Sequence, residues 1–293
     1  MIDRYHLRYF LAVIDHGNFS KAAAACNVSQ PTLSVGIAKM EKSLGRAVFN
    51  RSNKRVELTE AGARLAVHAR RIEADFADAE RAASDTPAAS MTRLGILPSL
   101  PSHWIEAMIE RLRPDQETHR IEIVEARERD LIERLSRGRI DVALTIIRPD
   151  SSRFAHDILF NEGYGLAMSS RHPLAERPVI EAGELADNAM IVRSQCELLS
   201  DTSRFFTARG VRPMFTARTG SEDRALAYVR SGLGITIMPD CFTAPGVARP
   251  ALADFGFERR IGLIYGPHAD PAMLRLQLPL RAVRETIEAF RSA

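Results

Sequence analysis

The spacing of apolar residues over the first sixty positions restricts this end of the chain to a small bundle of three helices. Leu7, Phe10, Leu11 and Ile14 stand at i, i+3, i+4 and i+7, one stripe of a first helix that Gly17 ends. Ser20 is placed to cap a second, short helix from Lys21 to Cys26, whose alanines Ala22 to Ala25 let another backbone come close. Asn27 and Val28 form a tight turn. Ser29 is a good cap for a third helix, with Pro31 in its first turn, where a missing N–H costs nothing. That helix runs to Leu44 and stops at Gly45. Leu33, Ile37, Met40 and Leu44 form its buried face, and Gln30, Thr32, Ser34 and Lys39 point away from it.

A short helix, a tight turn and a helix with polar residues at its exposed amino end make the helix-turn-helix arrangement, which sets side chains against base edges in the major groove. Beyond it Phe49 and Arg51, then Val56 and Leu58, alternate in and out around a Ser52-Asn53-Lys54-Arg55 turn. This hairpin is a wing carrying Arg51, Lys54 and Arg55, cations suited to neutralising phosphates. Ser20, Gln30, Pro31, Thr32, Ser34 and Lys39 complete the candidate DNA-contacting set. Residues 1–60 hold nine Lys/Arg against five Asp/Glu, in a chain that is otherwise near balance, and all four lysines precede residue 55. Such a basic module suits a polyanion, and a charge this modest also suits an ordinary solvated surface. A three-helix domain that only packs, or that binds a protein, is the alternative. The coincidence of wing, capped helix and polar face favours DNA.

Asn18-Phe19-Ser20-Lys21-Ala22-Ala23, Val28-Ser29-Gln30-Pro31-Thr32-Leu33-Ser34, Ile37, Met40-Glu41, Leu44-Gly45, Phe49, Arg51 and Leu58-Thr59-Glu60-Ala61-Gly62 resemble the N-terminal signature of LysR-type transcriptional regulators. Members often carry basic or amide side chains midway along the recognition helix, where this chain has Val35, Gly36 and Ala38. Direct base readout is therefore expected to be thinner here.

Thr59 is positioned to cap a long helix from Glu60, on which Leu65, Ala69, Ile72, Phe76, Ala79 and Ala83 are spaced 4, 3, 4, 3 and 4. The pattern fits a dimerising coiled-coil seam and equally a helix docked on its own domain. The resemblance implies the first, because family members pair through this helix. Ser84-Asp85-Thr86-Pro87-Ala88-Ala89-Ser90 reads as a hinge. Residues 1–59 are thus expected to form a winged helix-turn-helix domain, 60–90 the linker helix and hinge, and 91–293 an effector-binding domain.

From residue 91 short apolar runs alternate with helical patterns, which predicts α/β architecture with a parallel sheet covered on both faces. Strands are expected at 94–97, 121–124, 142–147, 165–168, 190–192, 214–217, 235–238 and 261–265. Helices are expected at 102–112, 130–135, 199–208, 225–231 and 279–291. Gly138-Arg139-Ile140-Asp141-Val142-Ala143, His172-Pro173-Leu174-Ala175 and Gly232-Leu233-Gly234-Ile235-Thr236-Ile237-Met238-Pro239 resemble segments of the LysR-type effector domain. The resemblance implies a two-lobed, periplasmic-binding-protein-like fold, with lobe I at 91–162 and 267–293 and lobe II at 163–266.

Open α/β sheets bind ligands beyond the carboxyl ends of their strands. Ser99 and Ser102 lie between the first strand and its helix, where backbone amides and the helix dipole favour an anion. Arg148 follows the strand 142–147 and can pair with a carboxylate; Thr145, within that strand, reaches the same space if it faces inward. Each also has a plain structural reading: a helix cap, a turn residue, a strand filler, and a surface cation paired with Asp150. At 126–129 the sequence Ala126-Arg127-Glu128-Arg129 either favours an anionic effector or blocks a pocket with side chains.

Cys196 follows the strand 190–192, near the expected cleft, and completes the candidate effector set; some family members sense peroxide through a cysteine in this region. Its later companion, Cys241, is 45 residues away, and Arg193 is the basic residue nearest in sequence. Cys26 is expected in the core. With three cysteines and no CxxC pair the chain suits a reducing compartment. Eight scattered histidines show no metal-ligand spacing, and P-loop, GxSxG and GxGxxG signatures are absent, so neither metal, cofactor nor enzymatic activity is expected. The run Phe10 to Ile14 is too short for a signal-peptide core, and no apolar stretch reaches the roughly 20 residues of a membrane span, so the cytoplasm is the expected location.

The whole reads as a sequence-specific DNA-binding regulator responding to a small anionic metabolite between two lobes. It would act as a homodimer or homotetramer on a partly palindromic site, with RNA polymerase as a further candidate partner. Two other readings stand beside it: a constitutive DNA binder whose C-terminal domain only oligomerises, and a thiol redox sensor using Cys196.

Overall fold

A computed structural model describes residues 2–50, 56–83, 90–112 and 119–292. Helix α1 (Arg4–His16) starts at Asp3, whose carboxylate accepts from the amides of Tyr5 and His6, and ends at Gly17 in the left-handed region. Helix α2 (Phe19–Ala25) is capped by Asn18, not by Ser20 as expected: the Asn18 side chain accepts from the amides of Ser20 and Lys21 at 2.8 and 3.1 Å. Asparagine serves at least as well as serine at a cap, and the earlier start brings Phe19 onto the core, edge-on to Phe49. Helix α3 (Gln30–Leu44) begins at Ser29, whose hydroxyl accepts from the Thr32 amide at 3.2 Å, and stops at Gly45. Leu33, Ile37 and Met40 of α3 close on Leu7, Phe10, Leu11, Ala22 and Ala23, with Cys26 at the edge of this core.

Strands β1 (Phe49–Asn50) and β2 (Glu57–Leu58) form the expected antiparallel hairpin, with Phe49 opposite Leu58; its turn, residues 51–55, lies outside the described residues. Thr59 caps the long helix α4 (Glu60–Ala83), accepting from the Gly62 amide at 3.0 Å and donating to the Ala47 carbonyl at 2.8 Å. The hinge expected at 84–90 falls, but for Ser90, outside the described residues.

The first lobe is built on β3 (Ser90–Ile96), α5 (Ser102–Leu112), β4 (His119–Glu125), α6 (Glu128–Ser136) and β5 (Val142–Ile146). Strands β4, β3 and β5 are parallel neighbours. The parallel expectation fails next to them. β6 (His156–Ser169) and β13 (Glu258–Tyr265) are antiparallel to each other, and β13 is antiparallel to β5. Ile261 to Tyr265, expected in the second lobe, pair with Val142 to Ile146 and bury Ile261, Leu263 and Tyr265 in the first-lobe core. The chain therefore returns to lobe I through β13, ahead of residue 267.

At 14 residues β6 is far longer than the 165–168 segment expected from sequence, because His156, Asp157, Asn161 and Glu162 interrupt its apolar pattern. Its first half belongs to lobe I. Its second half pairs with β10 (Thr236–Pro239) and β11 (Val247–Ala248) in lobe II. The second lobe also holds a parallel pair β7 (Val179–Ile180) and β12 (Ala251–Leu252), and β8 (Ala189–Arg193) beside β9 (Met214–Thr219), joined to β10's segment by a Met190–Ile235 bridge. Helix α7 (Leu199–Ala208) covers one face through Phe205 and Phe206, and α8 (Glu222–Arg230) the other through Ala225 and Val229.

Helices α9 (Pro271–Leu276) and α10 (Leu278–Ser292) close the first lobe. They are held to β6 by Asp157, which receives Arg275 at 2.8 and 2.9 Å, the Tyr265 hydroxyl at 2.6 Å, and Arg284.

Candidate functional site

On α3, Gln30, Pro31, Thr32 and Lys39 are exposed and Ser34 is half-buried; Ser20 is exposed on α2. The outward polar groups are satisfied among themselves: Ser29 and Thr32 hydroxyls lie 2.7 Å apart, and the Gln30 amide donates to Ser34 at 3.0 Å. Exposed partners of this kind exchange readily for water or a ligand. Val35 is 55% exposed between them, an apolar group of the type that meets thymine methyls. Gly36 faces inward instead: a Cβ there would lie 2.8 Å from the Tyr9 ring, so glycine is what lets α1 cross α3. The wing cations Arg51, Lys54 and Arg55 lie outside the described residues.

The expected seam on α4 divides. Leu65 and Ala69 pack into the three-helix core, whereas Ile72 and Phe76 remain exposed. The spacing is the same for both tasks because a helix docked on its own domain and a helix facing a partner each need an i, i+4, i+7 stripe. Arg4 lies 4.3 Å over the Phe76 ring and pairs with Glu73 at 3.1 Å. The side chains of Ala79 and Ala83 are not among those described.

The five candidate effector residues do not share one pocket. Thr145 is fully buried, its hydroxyl without a partner among the described residues. Arg148 pairs with Glu128 at 2.5 and 2.7 Å; the Asp150 side chain, its other expected partner, lies outside the described residues. Ser102 is exposed and donates across the lobes to Asp223. Ser99 is fully buried, with both its hydroxyl and its carbonyl taken by Arg259 at 2.9 and 3.0 Å. Cys196 Sγ accepts from Arg193 Nη2 at 3.0 Å.

Ser99 and Cys196 belong to a buried polar network where the lobes meet. Arg259 donates to Glu162 at 2.8 Å and to Glu197 at 2.5 Å; Tyr164 donates to the same Glu197 oxygen at 2.7 Å. Glu162 accepts from the Cys241 amide at 2.7 Å, and Arg259 Nη2 lies 3.4 Å from Cys241 Sγ. Arg193 pairs with Glu222 at 2.6 Å and donates to the Ile237 carbonyl at 2.8 Å. Burial pushes the Cys196 thiol up, and although the Arg193 charge pulls it down, burial prevails. The Cys241 thiol is likewise raised by burial against Arg259. For Glu197 burial works upward, but Arg259 and the Tyr164 hydroxyl hold the carboxyl below its usual range. The cysteines are free thiols.

Sequence reading missed Arg259, Glu162, Glu197, Tyr164 and Glu222. A signal for Arg259 existed: Arg259, Ile261 and Leu263 alternate along one strand, which puts a cation on the core-facing side. Nothing in the local pattern marked Glu222, which leads a helix like any solvated acid.

Two cavities flank the network. One, of about 590 Å³, opens between α5 and the start of α8 and is lined by Ser102, Glu106, Glu110, Glu125 and Asp223 over an apolar floor of Leu97 and Leu100. The other, of about 240 Å³, lies beside Arg148, Asn161, Arg259 and Arg260. Arg127 spans the lobes, donating to the Ser194 carbonyl at 3.0 Å and to the Gln195 side chain. Among the described residues no three His, Cys, Asp or Glu side chains converge as a metal ion would require, and no helix is long and apolar enough to cross a membrane.

Residues 5–63 match the family described as "Bacterial regulatory helix-turn-helix protein, lysR family", and residues 87–287 match the "LysR substrate binding domain". The chain is 31% identical over 268 residues to the "probable hydrogen peroxide-inducible genes activator" of Mycobacterium avium, covering 88% of this chain and 86% of that protein. It is 28% identical to the hydrogen peroxide-inducible genes activator of Haemophilus influenzae, covering 97% of each. Full-length OxyR from Pseudomonas aeruginosa, in a variant form, superimposes with a TM-score of 0.69 at 22% identity over 97% of this chain and 95% of that one. Full-length BenM gives 0.52 at 22% identity, over 99% and 97%. At such identities the structural likeness carries the fold alone.

Proposed function

Because the chain belongs to the LysR-type family of bacterial transcription regulators, and so is a regulator and not an enzyme, we propose that it recognises DNA through α3 and the wing and reads its signal as oxidation of Cys196. In this reading Ser20, Gln30, Pro31, Thr32, Ser34 and Lys39 face the duplex, with Arg51, Lys54 and Arg55 on flanking phosphates. Ile72 and Phe76 pair two copies along α4, and two such modules meet a partly palindromic site in the cytoplasm, with RNA polymerase beside them.

The observation that carries the sensing half is the contact of Cys196 Sγ with the buried Arg193 guanidinium at the junction of the lobes. In the thiolate form the sulfur attacks one oxygen of hydrogen peroxide. An S–O bond forms as the O–O bond breaks, and the departing hydroxide takes a proton to leave as water. The resulting sulfenic acid adds an oxygen beside Arg193, in a closely packed network, and the lobes shift. The names of the relatives at 31% and 28% identity point to the same stimulus. The raised thiol makes the reaction faster as pH rises. Footprinting on the DNA upstream of its own gene, with and without peroxide, tests this: the pattern changes for the native protein and is constant for Cys196→Ser.

A second reading rests on the 590 Å³ cavity. Its carboxylates favour a neutral or cationic effector over the anion expected from sequence, since Arg148, Arg193 and Arg259 are each already neutralised by a carboxylate of the chain itself. Thermal-shift screening with amines and carboxylates separates the two charges. Stabilisation by neither, together with an unchanging footprint, leaves the domain as an oligomerisation platform.

A further inference from the structure

Helix α6 touches the lobe junction at one end and the DNA-binding module at the other. At its amino end Arg127, the residue before the helix, grips Ser194 and Gln195, which immediately precede Cys196. Glu128, its first residue, holds Arg148 with both carboxylate oxygens. At its carboxyl end the chain turns through Arg137-Gly138-Arg139. Arg139 donates to the Asp15 carbonyl at 3.4 Å and lies 3.8 Å from the Asp15 carboxylate, near the end of α1. The same carboxylate is bound by Arg70 of α4. Gly138 (φ +63°) is pressed so closely on Arg70 that a Cβ would lie 2.2 Å from its Cδ. Between these ends Leu131 and Leu135 are fully buried in the lobe I core, so α6 moves only as that core moves. Nine residues at a rise of about 1.5 Å make it a rod of about 13 Å.

We propose that α6 is a strut that carries displacement at the lobe junction to the DNA-binding module of the same chain, with Arg127 as its input contact and Arg139 against Asp15 and Arg70 as its output contact. The proposal rests on the reading of the chain as a regulator whose signal arises at the junction. A shift of the Ser194-Gln195-Cys196 segment pulls on Arg127, tilts the rod, and changes how the turn at Gly138 seats on α1 and α4. A packed helix with contacts at both ends transmits such a tilt because its core has few intermediate arrangements.

Hydrogen exchange on the full-length protein, read on peptides covering residues 8–16 and 64–72, tests the strut. Arg127→Ala is expected to speed exchange there at least threefold although Arg127 touches neither helix. Arg139→Ala is expected to do the same, and the double variant to match Arg139→Ala alone. Unchanged exchange in Arg127→Ala, or effects of the two changes that multiply, overturns the strut. Gly138→Ala, which unseats the turn while leaving every charge in place, is expected to reproduce Arg139→Ala; native exchange rates in that variant count against the proposal. Failure of the functional reading is visible separately, as absence of DNA binding or of a peroxide response in the native protein, and the exchange result stands or falls without it.

Discussion

Arg259 donates to Ser99 twice, to its hydroxyl at 2.9 Å and to its carbonyl at 3.0 Å, so the strand returning from the second lobe and the loop after the first strand share one guanidinium. The cation is 2% exposed and also balances Glu162 and Glu197, 3% and 5% exposed. Arg259→Met leaves two buried carboxylates without a counter-charge, and the expected loss is about 3–5 kcal/mol by urea denaturation. Adding Glu162→Gln and Glu197→Gln to the same chain is expected to recover most of it. A single change that costs under about 1 kcal/mol would mean the network is solvated.

Gly62 is required by packing and not by helix geometry. Alanine favours a helix by up to about 1 kcal/mol, but its Cβ would fall 2.1 Å from the Val48 carbonyl oxygen. Gly62→Ala is therefore expected to destabilise the full chain by about 1–3 kcal/mol, since the backbone before the wing must move. A gain in the urea midpoint would show that this contact yields cheaply.

Neutralising the proposed phosphate contacts has a signature distinct from removing base contacts. Arg51→Gln, Lys54→Gln and Arg55→Gln are each expected to weaken DNA binding on all sequences alike and to lower the salt slope by about 0.9 for each phosphate left without its cation. Gln30→Ala is expected to weaken the cognate site more than random DNA. Equal slopes for native and triple variant in gel shifts at several salt concentrations would remove the wing from the interface.

Asp157 sets an acid limit on stability. Burial alone would raise its carboxyl, but hydrogen bonds from Arg275 and Tyr265 and the charges of Arg284 and Arg275 together lower it to about 2. The unfolded reference is about 3.9, so its stabilising effect is complete above about pH 4 and is lost as pH falls toward 2. Arg275 is 43% exposed, so screening trims the effect. Urea midpoints between pH 5 and pH 2 are expected to fall less steeply for Asp157→Asn than for the native chain; parallel curves would contradict the assignment.

Local chemistry was the legible part. Ser29, Gly17, Gly45 and Thr59 end or begin helices where the sequence predicts, and α7 spans the residues expected of it, because caps and 3.6-residue periodicity are decided within a few positions. Long-range pairing was not. The antiparallel return of β13 against β5 depends on residues over a hundred positions apart, and the polar breaks in β6 hid its length. The candidate site was half visible for the same reason. Ser99 and Cys196 could be placed near strand ends, while the charges that hold them, Arg259 and Arg193, acquire meaning only once opposite carboxylates are brought beneath them.

Because β6 is hydrogen-bonded into both lobes, neither half can melt while leaving the other whole: the first to unravel strips its neighbour of a central strand. Among the described residues the two lobes are thus tied through one strand common to both, along which they can twist or bend relative to each other without either giving it up.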